Sequence, residues 1–391
     1  MVRQAGSRTR TQSIDGLAAS KEILISCGSG GVGKTTTAAA IGAMAATHLG
    51  GKVLVITVDP AKRLANALGL EQFGNAETRV PDSMFTDAGV TPRGELWAAM
   101  LDTKQSWDDL IQRHAPDEAT RKAILANPLY QNLTGKFIQS HDYVAMERLY
   151  EIHSEGRYDL IVVDTPPTRN AIDFLDAPAR MADFFSSRLL RWLIAPYRSR
   201  VVGFASKPFY TVADRILGSQ FLSDIAEFFI LFQSMYDGFV ERATSVERLL
   251  GSASTSFVVV STLEAAPAAE ARAFMELLAE RSLPLGALVL NKTLPPSMGS
   301  RSAVAAARAL ASDPASIARA VGEVIGDDEH LERVLAQIAE SFNNFAVVAR
   351  RETEQAAEMS RLPEVVVTVP AMESGISDLS GLLRMGEHLW R

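Results

Sequence analysis

Residues 28–36 read GSGGVGKTT, which spaces Gly28, Gly33, Lys34 and Thr35 as G-x-x-x-x-G-K-[ST]. The chemistry this spacing supports is phosphate binding. Gly28, Gly30, Gly31 and Gly33 let backbone N–H groups approach phosphate oxygens, with Ser29 and Val32 completing the loop. The start of a following helix adds positive potential. Lys34 is expected to hold β- and γ-phosphates and Thr35 to place its hydroxyl on Mg²⁺, with Thr36 beside it. A chance match to the pattern occurs in about one chain of this size in a hundred. A preceding apolar run and a following Ala-rich helix make the match far more specific than that.

Three further residues close apolar runs. Asp164 ends LIVVD, where an aspartate either caps the next segment or acts on Mg²⁺ directly or through water. Asp59 ends a run reading VLVITVD and precedes Pro60. A carboxylate there orients and partly deprotonates an attacking water, or else is a turn aspartate. Asn291 ends LGALVLN, where its amide can read a purine edge or close a turn.

Elements that position these residues are visible as short β-branched runs: residues 22–26, 52–59, 158–164, 256–262, 285–291 and 364–370, with 95–102 a weaker candidate. Runs apolar throughout suit strands covered on both faces. Helical stretches alternate with them, which predicts a mainly parallel α/β sheet flanked by helices, with ligands at the carboxyl ends of the strands. Residues 1–20 read as a flexible polar tail and 21–391 as one domain. Two spacings, about 170–250 and 294–360, are too long for simple crossovers and predict helical insertions.

In the first insertion Phe221, Phe228, Phe229, Phe232 and Met235 recur at helical spacing. They form either a core-facing stripe or an apolar groove for a partner's helix. The arginine-bearing stretch 188–200 is either a solvated basic edge or a contact for an anionic membrane surface. The tail 379–391 is amphipathic and only weakly basic, which favours packing on the sheet over membrane anchoring.

Composition narrows the classes. The chain has 391 residues, 47% hydrophobic and 22% charged, with a formal net charge of −7. That balance argues against sequence-independent nucleic-acid binding. Cys27 is the only cysteine, so one chain can form no disulfide and no cysteine-cluster metal site. No run of about 18 uncharged apolar residues occurs. A cytoplasmic protein is expected, with peripheral membrane contact as the variant.

The loop at 28–36, TVDPAKRLANALG (57–69), YDLIVVDTPPTRNAIDFLDAP (158–178), VLNK (289–292) and VTVPAMESGISDL (367–379) occur in an order that resembles the ArsA-type ATPases. That family includes arsenical-pump-driving ATPases and the ATPase that delivers tail-anchored membrane proteins, and belongs to the dimeric class of MinD and ParA. The resemblance implies a dimer that binds ATP and Mg²⁺ near its interface. It assigns Asp59 to water activation, Thr35, Asp59 and Asp164 to the metal, and Asn291 and the neighbourhood of Pro370 to the adenine. One cysteine cannot supply the arsenical pumps' thiol triad, and residues 294–360 offer nothing for the targeting factor's zinc. No arsenite or zinc site is expected.

The resemblance also exposes a departure. At the position of Ser29 the dimeric class holds a lysine that reaches the partner's phosphates. Three readings stay open: a binding-only subunit; a heterodimer with a lysine-bearing paralogue, rather than a homodimer; or a cation in cis from Lys62, Arg63 or Arg169. Asp59 and Lys34 are the catalytic residues in the last two. The function implied is an ATP-driven switch handling an apolar or membrane-protein client. The alternatives are a MinD/ParA-like positioning ATPase and a nucleotide-binding subunit with little turnover.

Overall fold

The computed structural model describes residues 13–58, 63–70, 74–101, 103–133, 138–166, 175–177, 179–180, 183, 227–232, 235–325, 328–372 and 375–390. Its frame is one eight-stranded sheet. The strands are β1 (Ile23–Cys27), β2 (Lys52–Thr57), β3 (Thr78–Arg79), β4 (Glu95–Met100), β5 (Leu160–Asp164), β6 (Thr255–Ser261), β7 (Leu285–Thr293) and β8 (Val365–Pro370). Their order is β3-β4-β2-β5-β1-β6-β7-β8, and every pair is parallel except β3 with β4. This is the expected α/β sheet. The weak run at 95–102 is a full strand, in register with β2 from Lys52 opposite Glu95 to Thr57 opposite Met100.

Central strands are buried along their whole length, because helices cover both faces of the sheet. One face carries the Ala-rich helix Lys34–His48 and the C-terminal helix Leu379–Leu389, with Val55, Val162, Val258 and Val289 beneath them. Gly386 allows that approach: a Cβ there would stand 2.3 Å from Met44 Cγ. The 379–391 tail thus packs on the sheet. The other face holds Ile25, Ile56, Val163 and Val259 under the helices Ile138–Ser154 and Ala265–Glu280.

Two expectations are corrected. Residues 14–20 are not tail but a helix, because Ile14, Leu17 and Ala18 fall on one face at helical spacing and are buried against the core. The edge strand β8 is covered on one face only, with Val365, Val367 and Val369 buried and Val366 exposed. Its β-branched run reflects strand propensity rather than two-sided burial.

Among the described residues the first long spacing includes the helix Tyr236–Leu250, and the second holds the 3-10 turn Pro296–Gly299 and the helices Arg301–Ser312, Pro314–Ile325 and Asp328–Met359. A further helical stretch joins β4 to β5, through Thr103–His114, Glu118–Ala126, Pro128–Leu133 and Ile138–Ser154. It packs with the first insertion into a separate aromatic core of Trp107, Tyr130, Tyr143, Phe228, Phe232, Met235 and Phe239.

Of the five residues read as a groove, Phe221 lies outside the described residues. Phe228, Phe232 and Met235 are buried, with Phe229 packed partly against them. The Phe228 and Phe232 rings lie 4.5 Å apart between centroids. In this arrangement the stripe faces the protein's own helices. Among the described residues, exposed large apolar side chains are most frequent on Asp328–Met359, where Val334, Ile338, Phe345 and Val348 fall on one side at helical spacing and Val347 on the other, with Leu49, Leu362 and Val366 exposed elsewhere.

Candidate nucleotide site

β1 is the centre of the sheet, and the chain leaves its carboxyl end through the glycine-rich loop into Lys34–His48. Strand order changes direction here, with β5 on one side and β6 on the other. That is the place where open α/β sheets bind ligands.

Backbone approach dictates two glycines. A Cβ on Gly28 would stand 2.0 Å from the Val260 carbonyl oxygen. Gly33 has φ +100°, and its Cβ would stand 2.3 Å from Asn291 Nδ2. At Gly30 and Gly31 a Cβ would meet nothing within 4 Å, so the crown of the loop is open.

The loop is braced from three directions. Lys34 Nζ, on a side chain buried at the helix start, donates to the Ser29 carbonyl at 2.9 Å. Asn291 Nδ2 donates to the Val32 carbonyl at 2.8 Å, and Asn291 Oδ1 accepts from the Lys292 N–H at 2.9 Å. Lys292 Nζ donates to the Gly31 carbonyl at 2.9 Å. Ser29 is buried, and its hydroxyl donates to Glu270 Oε2 at 2.6 Å from the helix Ala265–Glu280. Lys292 closes the legible stretch VLNK, whereas nothing local marks Glu270.

Asp164 stands beside the loop at the end of β5, with Ser26 of β1 and Thr57 of β2 as its register partners. It is fully buried and accepts from Thr57 Oγ1 at 3.0 Å. Thr165 Oγ1 donates to the Ser26 carbonyl at 2.8 Å, which ties the ends of β5 and β1 together. Thr35 and Thr36 are half-buried in the first helical turn. Asn291 lies two residues before the end of β7, opposite Val369, and Pro370 closes the neighbouring β8 opposite Thr293. Cys27 is buried, and burial pushes its thiol up to about 12, so it is no nucleophile at neutral pH. Asp59, Lys62 and Arg169 lie outside the described residues, as does the side chain of Arg63, which opens the helix Arg63–Ala67.

A magnesium nucleotide suits what is present. The open crown at Gly30 and Gly31 offers N–H groups, Lys34 offers an ammonium, and Asp164 and Thr35 offer oxygens beside it. Among the described residues no three His, Cys, Asp or Glu side chains cluster as a metal cage. Mg²⁺ needs none, because it takes one or two carboxylates together with phosphate oxygens and water.

Sheet order, loop and buried strand-end carboxylate together define a P-loop nucleotide-binding domain. The model of the anion-transporting ATPase (ArsA) family matches residues 21–313, so the chain belongs to that family of P-loop ATPases. A putative arsenical pump-driving ATPase of Chlorobaculum tepidum is 28% identical over 163 residues, 40% of this chain and 35% of the relative. The ATPase ASNA1 homolog of Entamoeba dispar is 23% identical over 273 residues, 68% and 75% of the two chains. The ATPase get3 of Aspergillus terreus is 30% identical over 152 residues, 39% and 41% of the two. The match thus spans about a third of the arsenical-pump relatives' length. No helix among the described residues is long and apolar enough to cross a membrane.

Proposed function

We propose that the chain is an Mg²⁺-dependent ATPase switch that works as a dimer, with a lysine-bearing paralogue as its partner. The observation that carries this reading is the set of groups gathered around one loop. Lys34 is seated at the loop, Asp164 is buried beside it, and Ser29 is turned away onto Glu270. Lys34 exchanges the Ser29 carbonyl for phosphate oxygens when nucleotide enters. Thr35 and Asp164 would hold Mg²⁺, which would supply positive charge against the phosphates. Asp59 orients the attacking water and takes its proton. Asn291, engaged with Val32 and Lys292, fixes the loop and keeps one amide hydrogen for the adenine.

Ser29 explains the choice of partner. A serine hydroxyl cannot reach a second subunit's phosphates, so this chain supplies no cation in trans. Its own site still has room to receive one. The two composite sites of such a pair are therefore unequal. Lys62, Arg63 and Arg169 are the alternative sources of charge in cis.

Asp59→Asn tests the assignment. The variant is expected to bind ATP with little loss and to hydrolyse it roughly 100-fold or more slowly, since the step lost is water activation. Single-turnover hydrolysis alongside equilibrium binding reads both quantities. Normal hydrolysis by Asp59→Asn refutes the catalytic assignment.

Coupling to an apolar client, as in a tail-anchored-protein carrier, is part of this proposal. Support comes from the exposed stripe of Val334, Ile338, Phe345 and Val348 rather than from the buried aromatics near 228–235. Ile338→Glu and Phe345→Glu are expected to weaken ATP-dependent capture of a hydrophobic helical peptide about tenfold at unchanged melting temperature. Unchanged capture in both removes the stripe as the client surface. Cytoplasmic residence, with or without peripheral membrane contact, accompanies the proposal.

A further inference from the structure

β7 does not end as a regular strand. Its register against β8 shifts between Asn291, opposite Val369, and Thr293, opposite Pro370, so Lys292 is an extra residue on β7. Lys292 also has φ +58°, in the left-handed region that side chains other than glycine rarely adopt. Among the described residues one other non-glycine residue, Ser282, has positive φ. It follows the helix Ala265–Glu280, where a left-handed residue is a common way out. Lys292 ends no helix. A bulge beside a functional site re-aims a side chain, and backbone strain persists there when the surroundings hold it.

The side chain so turned crosses to the phosphate loop, where Lys292 Nζ donates to the Gly31 carbonyl at 2.9 Å. Asn291 Nδ2 donates to the next carbonyl, that of Val32, at 2.8 Å. Two successive residues of β7 thus hold two successive carbonyls of the loop. A trans peptide points its N–H away from its carbonyl. The Lys292 ammonium therefore lies on the opposite side of the loop from the Val32 N–H, away from the phosphates. The Lys292 N–H donates to Asn291 Oδ1 at 2.9 Å, which fixes the sense of the Asn291 amide. The amide edge keeps one Nδ2 hydrogen and one Oδ1 lone pair, the donor and acceptor that adenine matches with N7 and its N6 amino group. A ring joined to this edge lies near the amide plane, beside the exposed methylene stem of Lys292.

We propose that Lys292 positions the nucleotide base: its stem flanks the adenine ring read by Asn291, and its ammonium, tied to Gly31, holds the stem in place. The inference rests on Asn291 facing the base. Lys292 then contributes to the base end of the nucleotide and not to the phosphate end, which makes the two separable.

Calorimetric titration of the full chain in Mg²⁺ tests it with two probes. One is adenylyl imidodiphosphate, an ATP analogue that is not hydrolysed; the other is tripolyphosphate, which has no base. Lys292→Gly keeps the left-handed backbone without strain and removes the stem. It is expected to weaken binding of the analogue about tenfold, as loss of roughly 50 Å² of apolar contact does, and to change tripolyphosphate binding by less than about twofold. Lys292→Met, which restores an uncharged apolar stem, is expected to bind the analogue within about threefold of the parent protein. The inference is overturned if Lys292→Gly binds the analogue as tightly as the parent, or loses tripolyphosphate to the same degree, which marks a loop brace only. It is equally overturned if Lys292→Met binds the analogue no better than Lys292→Gly. Asn291→Ala separates a failure of the underlying reading. If it leaves the ratio of the two affinities at the parent's value, the base does not lie at this strand end and both assignments fall. If it lowers that ratio and Lys292→Gly does not, the role of Lys292 alone falls.

Discussion

Lys34→Ala is expected to lower ATP turnover roughly 100- to 1,000-fold, the usual loss when one fixed donor to developing charge is removed. Lys34 is buried at the start of its helix, and its ammonium reaches the Ser29 carbonyl at 2.9 Å across the loop. No neighbouring cation among the described residues can take its place inside the loop, because Lys292 is exposed and spans the outer side to the Gly31 carbonyl. The fold should survive the change. Alanine is a strong helix former, and the loop keeps its braces from Asn291, Lys292 and Glu270. Steady-state turnover measured beside the melting temperature separates lost chemistry from lost structure. Turnover within a few-fold of the parent protein, at equal stability, means that phosphate is held elsewhere.

The second large effect belongs to the helical core. Phe232 is 2% exposed and packs between Phe228, Trp107 and Phe239, with ring centroids at 4.5, 6.3 and 5.8 Å. Phe232→Ala is expected to cost about 3–5 kcal/mol through lost burial and the cavity left behind. Phe232→Asp costs more, since it adds an unpaired charge where Arg242 is already paired with Glu147. Chemical denaturation followed by helical signal measures both. A groove for a client predicts the opposite: Phe232→Asp then melts like the parent protein and loses only client binding.

The sequence and the structure diverge for identifiable reasons. β1, β2, β5, β6 and β7 are legible because a strand covered on both faces must be apolar at every position. β4 is weaker because its outward Trp97 and Glu95 are half-buried near the sheet margin, where only antiparallel β3 follows. β3 itself has two residues and no pattern to read. The loop is legible because phosphate binding constrains neighbouring residues. Its brace from Glu270 is not, since Ser29 and Glu270 are brought together by the fold across 241 positions. The aromatic stripe at 228–239 illustrates the limit of periodicity. Helical spacing marks an apolar face, but only packing decides whether that face meets its own chain or another.

Glu270 also shapes the most direct test of the central claim, that this chain's nucleotide site is complete except for one cation supplied in trans. Ser29→Lys restores the missing group, but Glu270 lies within hydrogen-bond distance of residue 29 and would capture the new ammonium in cis. The measurement is therefore ATP turnover of the isolated chain against Ser29→Lys combined with Glu270→Gln. The double variant is expected to turn over at least about tenfold faster, toward the 10³-fold that a trans-supplied arginine provides in related chemistry. An isolated parent chain that already matches the double variant contradicts the claim.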